Sequence, residues 1–223
     1  MIRKGLLVLV IGTIILTGAF AEVFIGAGLY FANDFGGGAV ASYGNNEVKV
    51  QMPNTGFGTY AFVDVEYLEL SLGLFWARGE MSTKASSGGL TIMDETMGTL
   101  SFSSVYLGLL GKYPIPITNF ITVFPLFGME YNLVTSGKMK EDGVSYDLSD
   151  ATDLSALWFK AGAGMDYSIN GDIFLRITAL YGVRLANKAE KDTVDGLAYQ
   201  FGSGFDIKTR LGHGLTIKAA IGF

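Results

Sequence analysis

From residue 23 to its last residue the chain alternates apolar and polar side chains with a period of two. Successive side chains of a strand point to opposite faces, so this patterning predicts strands, not helices. Eight segments carry it: 23–33, 57–66, 68–78, 99–111, 120–133, 154–168, 173–185 and 207–223. In the sixth, Leu157, Phe159, Ala161, Ala163, Met165 and Tyr167 share one face, and Lys160, Gly162, Gly164 and Asp166 the other. In the seventh, Ile173, Leu175, Ile177 and Tyr181 stand opposite Arg176, Thr178 and Arg184. In the last, Leu215, Ile217, Ala219, Ile221 and Phe223 stand opposite Thr216, Lys218 and Gly222.

The connections alternate in length. Short ones fall near Glu66, at 112–119 and at Asn170-Gly171, a two-residue hairpin signal. Long polar ones fall at 34–56, 79–98, 134–153 and 186–206. Short turns at one end and long loops at the other predict an all-β, closed, antiparallel up-and-down transmembrane barrel of eight strands, with the long loops outside the cell. Segment 197–205 also alternates. Counting it gives nine strands, whereas both termini on the periplasmic side require an even number. It is therefore assigned to the fourth loop or to an extension of neighbouring strands above the membrane. Ten strands, with another near 47–51, is the alternative. Pro125 removes a ladder hydrogen bond and predicts a bulge or a strand end near the periplasmic rim.

Charges decide which face is inside. Asp64, Glu66, Glu69, Glu130, Lys160, Asp166, Arg176, Arg184 and Lys218 fall almost entirely on one parity. A Lys or Arg facing lipid at the bilayer midplane costs about 2–4 kcal/mol. The apolar parity is thus predicted to face lipid and the charged parity the lumen. Strand direction sorts these charges into two layers: Asp64, Glu66, Glu69 and Asp166 with Arg176 and Lys218 below, and Glu130 with Lys160, Arg184 and Arg210 above. Eight strands enclose a bore that side chains just fill, which favours a plugged barrel; a gated ion or solute path is the other reading. Trp76, Tyr113, Tyr131, Tyr167 and Phe223 near strand ends suit interfacial girdles, while Trp158 has lumen parity.

The N-terminus is different. Arg3 and Lys4 precede an uncharged run from residue 5 to 20, and Ala19-Phe20-Ala21 fits a small-x-small cleavage site. Residues 1–21 are read as a signal peptide and 22–223 as the barrel; a retained transmembrane helix would need a longer run. Hydrophobic residues make up 49% and charged residues 17%, with 31 glycines and no cysteine. The net charge of −5 becomes −7 once Arg3 and Lys4 leave, and no basic patch suggests nucleic acid. The lone histidine, His213, gives no basis for nucleophilic catalysis. The acidic residues of 138–153 lack EF-hand spacing, so neither metal nor cofactor is implied.

Three stretches resemble the small outer-membrane barrels of the OmpW, OmpX and OmpA transmembrane-domain type. Residues 125–132, PLFGMEYN, resemble their Pro-aromatic-x-Gly-x-x-Tyr strand, with Leu126 where an aromatic is usual. Residues 162–167, GAGMDY, followed by Phe174-Leu175-Arg176, resemble their Gly-x-Gly-x-x-Tyr strand and the next one. The last nine residues resemble their terminal strand closed by Phe, here Phe223. The resemblance implies eight strands, variable surface loops and a terminal strand read by the barrel-assembly machinery. It implies membrane lipids as surroundings and loops open to an extracellular partner. The expected function is a non-enzymatic surface protein or a narrow channel for small solutes, hydrophobic ones among them. The alternative is a soluble exported lipocalin-like barrel holding an apolar ligand, with its charged face outside.

Overall fold

The structure is a computed structural model that describes residues 23–148, 150–170, 172–185, 187–201 and 206–223. Eight strands form the ring: β1 (Val23–Asp34), β4 (Asn54–Val65), β5 (Leu68–Ser87), β6 (Leu90–Lys112), β8 (Ile121–Glu141), β10 (Ala156–Asn170), β11 (Ile173–Arg184) and β13 (Gly212–Gly222). Each pairs antiparallel with the next, and β1 closes on β13 from Gly26↔Gly222 to Asp34↔Gly214. Among the described residues the remaining strands lie off this ring: β2 (Gly38–Tyr43), β3 (Asn46–Gln51), β7 (Ile115–Pro116), β9 (Val144–Asp147) and β12 (Asp206–Arg210).

The segment lengths explain the shape. β1, β4, β11 and β13 have 12, 12, 12 and 11 residues, near the 9–11 that a tilted strand needs to cross a bilayer. β5, β6 and β8 have 20, 23 and 21. Their outer ends therefore stand well above the membrane as one tall wall. β3 pairs with the upper part of β5, β2 with β3, and β12 with β2, while β9 folds back on β8. The sequence-predicted loops at 34–56, 79–98 and 134–153 are thus largely strand. The extra strand expected near 47–51 exists as β3, but it joins this upper sheet and leaves the ring at eight.

The fourth loop departs from expectation. Residues 197–201, read as alternating, belong to a helix, α1 (Lys188–Phe201), and 202–205 lie outside the described residues. The helix begins with a reciprocal cap: the Glu190 amide donates to Asn187 Oδ1 (2.9 Å), and the Asn187 amide to Glu190 Oε2 (3.1 Å). This is a capping box, which satisfies two amides of the first turn. α1 packs on β2, β12 and the single 3₁₀ turn at Ala151–Leu154. The last predicted strand is also split, with Arg210 exposed in β12 outside the ring.

Pro125 shows no bulge. Its carbonyl accepts from the Tyr113 amide (3.4 Å), so its missing amide faces the same side, where the β6–β8 ladder ends at Lys112↔Leu126. Pro114 lies in that gap before β7. Neither the bulge nor a strand end is seen: Pro125 lies inside β8, near its periplasmic end, where the β6 ladder has stopped and no amide is needed. The expected Asn170-Gly171 hairpin joins β10 to β11 through Asn170↔Ile173, Gly171 lying outside the described residues.

The ring is apolar outside and polar inside. Leu29, Phe57, Leu72, Leu107, Phe127, Ile177 and Ile217 are exposed on the wall, while Asp64, Glu69, Glu130, Lys160, Arg176, Arg184 and Lys218 are buried. This overturns the soluble lipocalin-like alternative, which needed the reverse. Without a surrounding acyl phase the exposed belt far exceeds what a water-soluble surface tolerates. No helix among the described residues is long and apolar enough to cross a membrane; the strands do so. Trp158 is buried in the lumen; Trp76, Tyr113, Tyr131, Tyr167 and Phe223 are exposed. Tyr67 and Tyr113 stack at the periplasmic end with centroids 6.1 Å apart.

Candidate functional site: the charged lumen

Register sets the lowest cluster. Asp64 and Glu69 are partners across the β4–β5 hairpin, and Asp166 and Arg176 are partners across β10–β11. Arg176 bonds Asp166 through Nε (2.7 Å) and Nη2 (2.6 Å), Asp64 through Nη2 (2.6 Å) and Glu69 through Nη1 (2.8 Å). Lys112 from β6 also donates to Asp64. In ring order β11 and β5 are four strands apart, which is diametrically opposite. A direct Arg176–Glu69 bond therefore spans the bore at that level. Phe62, Phe124 and Phe174 pack their rings within 4.7–5.1 Å of the Arg176 guanidinium, where a desolvated cation gains from ring faces.

Above it the lumen is aromatic. Tyr30 stacks on Phe75 (5.1 Å) and meets Tyr106 edge-on (4.8 Å). Glycines on neighbouring strands make this possible: a Cβ on Gly73 would lie 2.3 Å from the Tyr106 ring, and one on Gly164 2.3 Å from Phe124. The hydroxyls of Tyr30, Tyr60 and Tyr106 are buried without a hydrogen-bond partner.

The middle cluster is Glu130 with Lys160 and Lys218. Lys218 donates to Glu130 Oε1 (2.5 Å), and Lys160 donates to Oε2 and to Thr216 Oγ1 (2.9 Å). Lys218 also lies 5.3 Å from the rings of both Tyr60 and Tyr106. The outermost cluster is Arg184, with Nε on Asp34 (2.9 Å) and both terminal nitrogens on Glu190 of α1 (2.8 and 3.1 Å). Gly37 and Gly212 leave the room for it, since a Cβ on either would lie 2.7 Å from an Arg184 nitrogen. Trp158 links the upper two clusters, with Lys160 5.5 Å and Arg184 5.9 Å from its ring.

The described residues therefore form three clusters where the sequence predicted two layers. Lys218 pairs with Glu130 and not with the lower carboxylates, because the slant of the strands carries it upward. Arg184 separates from Glu130 and Lys160 because α1 supplies its partner. Glu66 is no lumen residue: it occupies the β4–β5 turn with φ 49° and is exposed. Sequence reasoning missed Lys112, Asp34 and Glu190. The first two carry lumen parity one step beyond the predicted strand ends. Among the described residues no group of three or more His, Asp or Glu is placed to hold a metal. His213 sits between Phe35 (5.7 Å) and Tyr181 (6.3 Å).

Among solved structures, the chain is similar to outer membrane protein OprG from Pseudomonas aeruginosa, at 9% identity and a TM-score of 0.44, over 90% of this chain and 93% of that one. It is similar to Neisserial surface protein A at 10% and 0.42, covering 91% and 97%, and to Ail, the attachment invasion locus protein of Yersinia pestis, at 14% and 0.37, covering 91% and 99%. No curated protein matches. The family model of the autotransporter beta-domain matches residues 16–220. The chain belongs to the autotransporter beta-domain family and is an outer-membrane β-barrel.

Proposed function

We propose that the barrel is a non-enzymatic outer-membrane protein whose bore is sealed, so that its work is done by the surface it holds above the membrane. The observation that carries this is Arg176. It is 1% exposed and bonded to Asp64, Glu69 and Asp166, two of them on strands across the ring. Glu130 with Lys160 and Lys218, and Arg184 with Asp34 and Glu190, close the bore again above it. Moving any of these charges strands a buried partner, which costs about 3–5 kcal/mol. That is too much for casual opening.

The upper sheet and α1 are then the contact surface for an extracellular partner. Residues 1–21 act as the cleaved signal peptide of this reading. Phe223, whose amide and carbonyl both bond Ile25 (2.9 Å) while its ring is exposed, is the end read by the assembly machinery.

The test is purified protein in a planar bilayer. We expect no conductance at any holding voltage. Discrete, voltage-independent openings of the unmodified protein would replace the sealed reading with the channel one.

A further inference from the structure

Above the membrane the wall built by β5, β6, β8 and β9 has two unlike faces. The lumen parity of β5 runs on through Met81, Thr83 and Ala85, and register places Met93, Leu100, Met139 and Tyr146 on the same side. Met97 sits at a bulge in β6 and turns to that side too, where the Thr83 hydroxyl donates to its Sδ (2.9 Å). This inner face thus holds Met81, Met93, Met97 and Met139, half of the chain's eight methionines. It is open. Met93, Met97 and Tyr146 are 38%, 42% and 54% exposed. α1 packs on β2 and β12, where Ala39 and Ala41 are buried, and leaves this part of the face uncovered.

Charge separates the two faces as well. On the outer face the charges are of both signs and partly paired: Lys84 meets Asp94 (3.1 Å) and Lys138 meets Asp147 (3.5 Å). Among the described residues of this wall, the inner face carries Glu95, opposite Thr83, and Glu141, opposite Val144, and no cation. Both carboxylates are exposed, and neither has an ion pair among the described residues. An apolar, methionine-rich surface with two unanswered negative charges therefore stands over the mouth of the barrel.

We propose, on the reading of the upper sheet as the contact surface, that this inner face holds a basic amphipathic helix of a partner protein. The apolar side of the helix lies on the methionines, and its Lys or Arg side chains meet Glu95 and Glu141. Methionine side chains repack around unlike apolar groups, which suits a surface that takes up a helix. The size fits. From Met81 to Ser87 β5 rises about 20 Å, which a helix of about 14 residues matches at 1.5 Å per residue. A second copy of this chain is a poor occupant, because its face would bring the same two carboxylates against these.

The experiment is methyl NMR of the folded barrel, isotope-labelled at its methionine methyls, in phosphatidylcholine nanodiscs. The probe is a peptide of about 14 residues with Leu on one helical face and Lys on the other. Saturable shifts are expected at Met81, Met93, Met97 and Met139, with Met129 and Met165 on the lipid-facing parity unmoved. Glu95→Gln combined with Glu141→Gln should weaken binding about fivefold, as the loss of two exposed ion pairs would. Glu80→Gln, on the outer face, should change nothing. The same peptide with Glu in place of Lys should not bind. Shifts confined to Met129 and Met165, which report a peptide entering lipid, overturn the proposal. So do equal binding of the Glu peptide, full-strength binding in the double variant, or shifts that follow protein concentration alone and so mark a second copy. Planar-bilayer conductance decides the seal separately: a silent barrel whose methionines ignore the peptide refutes the docking and leaves the sealed bore standing.

Discussion

Arg176 brings together four strands with one side chain. Its rigid planar fork offers five donors in fixed directions, against three on a lysine, and here serves three carboxylates at once. Replacing it by Met would leave Asp64 and Glu69 buried and Asp166 half-buried, with Lys112 as their one remaining cation among the described residues. We expect Arg176→Met to lower barrel stability by at least about 3 kcal/mol, read as a fall in the urea midpoint at which the heat-modifiable folded band disappears. Unchanged resistance would mean that the lower cluster does not hold the wall together. At this scale the sequence was largely legible. Parity alone separated lipid-facing from lumen-facing positions, because a one-residue slip would invert every charge on a strand. Asp34 and Lys112 went unread because the strands were ended one step too early, at the point where loops begin to look polar. Partner choice was not legible, since Lys218 meets Glu130 only through the slant of the strands.

Elements differ in how openly they announce themselves. The ring strands are read from two-residue periodicity sustained over ten or more positions. α1 is not, because Leu197, Tyr199 and Phe201 alternate while Val194, Leu197, Ala198 and Phe201 also fit helical spacing. The deciding sign was local: Asn187 and Glu190 stand three apart, the spacing of the capping box seen in the structure. That cap doubles as the link to the barrel, because Glu190 bonds Arg184 with both oxygens. Glu190→Gln keeps the size of the side chain and removes its charge. We expect faster cleavage within 188–201 by a protease added to the outer face, with a smaller fall in the barrel's urea midpoint than in Arg176→Met, since Arg184 keeps its bond to Asp34 and the ring strands keep their ladders. Protection equal to the unmodified protein would show that α1 is held by its packing on β2 and β12 instead.

The whole molecule sorts its surfaces by medium: an apolar belt for lipid, an ionic and aromatic filling for the bore, a tall polar sheet for the outside. The belt was visible in the sequence, and the upper sheet was not. Long polar loops give no periodic signal that tells a hairpin from a coil, and β3 pairs with a part of β5 that itself had been read as loop. On the reading of residues 1–21 as a cleaved signal peptide, that segment belongs to the same sorting. Sequencing the protein recovered from outer membranes should start at Glu22. A product that retains Arg3 and Lys4 would make that segment a permanent anchor.

Finally, the ring is joined edge to edge by its first and last strands. Gly26 meets Gly222, and Ile25 exchanges two hydrogen bonds with Phe223. These partners belong to the first and the last strand of the ring, so the seam can zip only after every other ring strand has been made. Until then β1 and β13 both present bare ladders to an acyl phase that can satisfy neither. A ring whose seam has not closed is thus topologically an open ribbon, with two selvedges whose amides and carbonyls go unpaired in lipid.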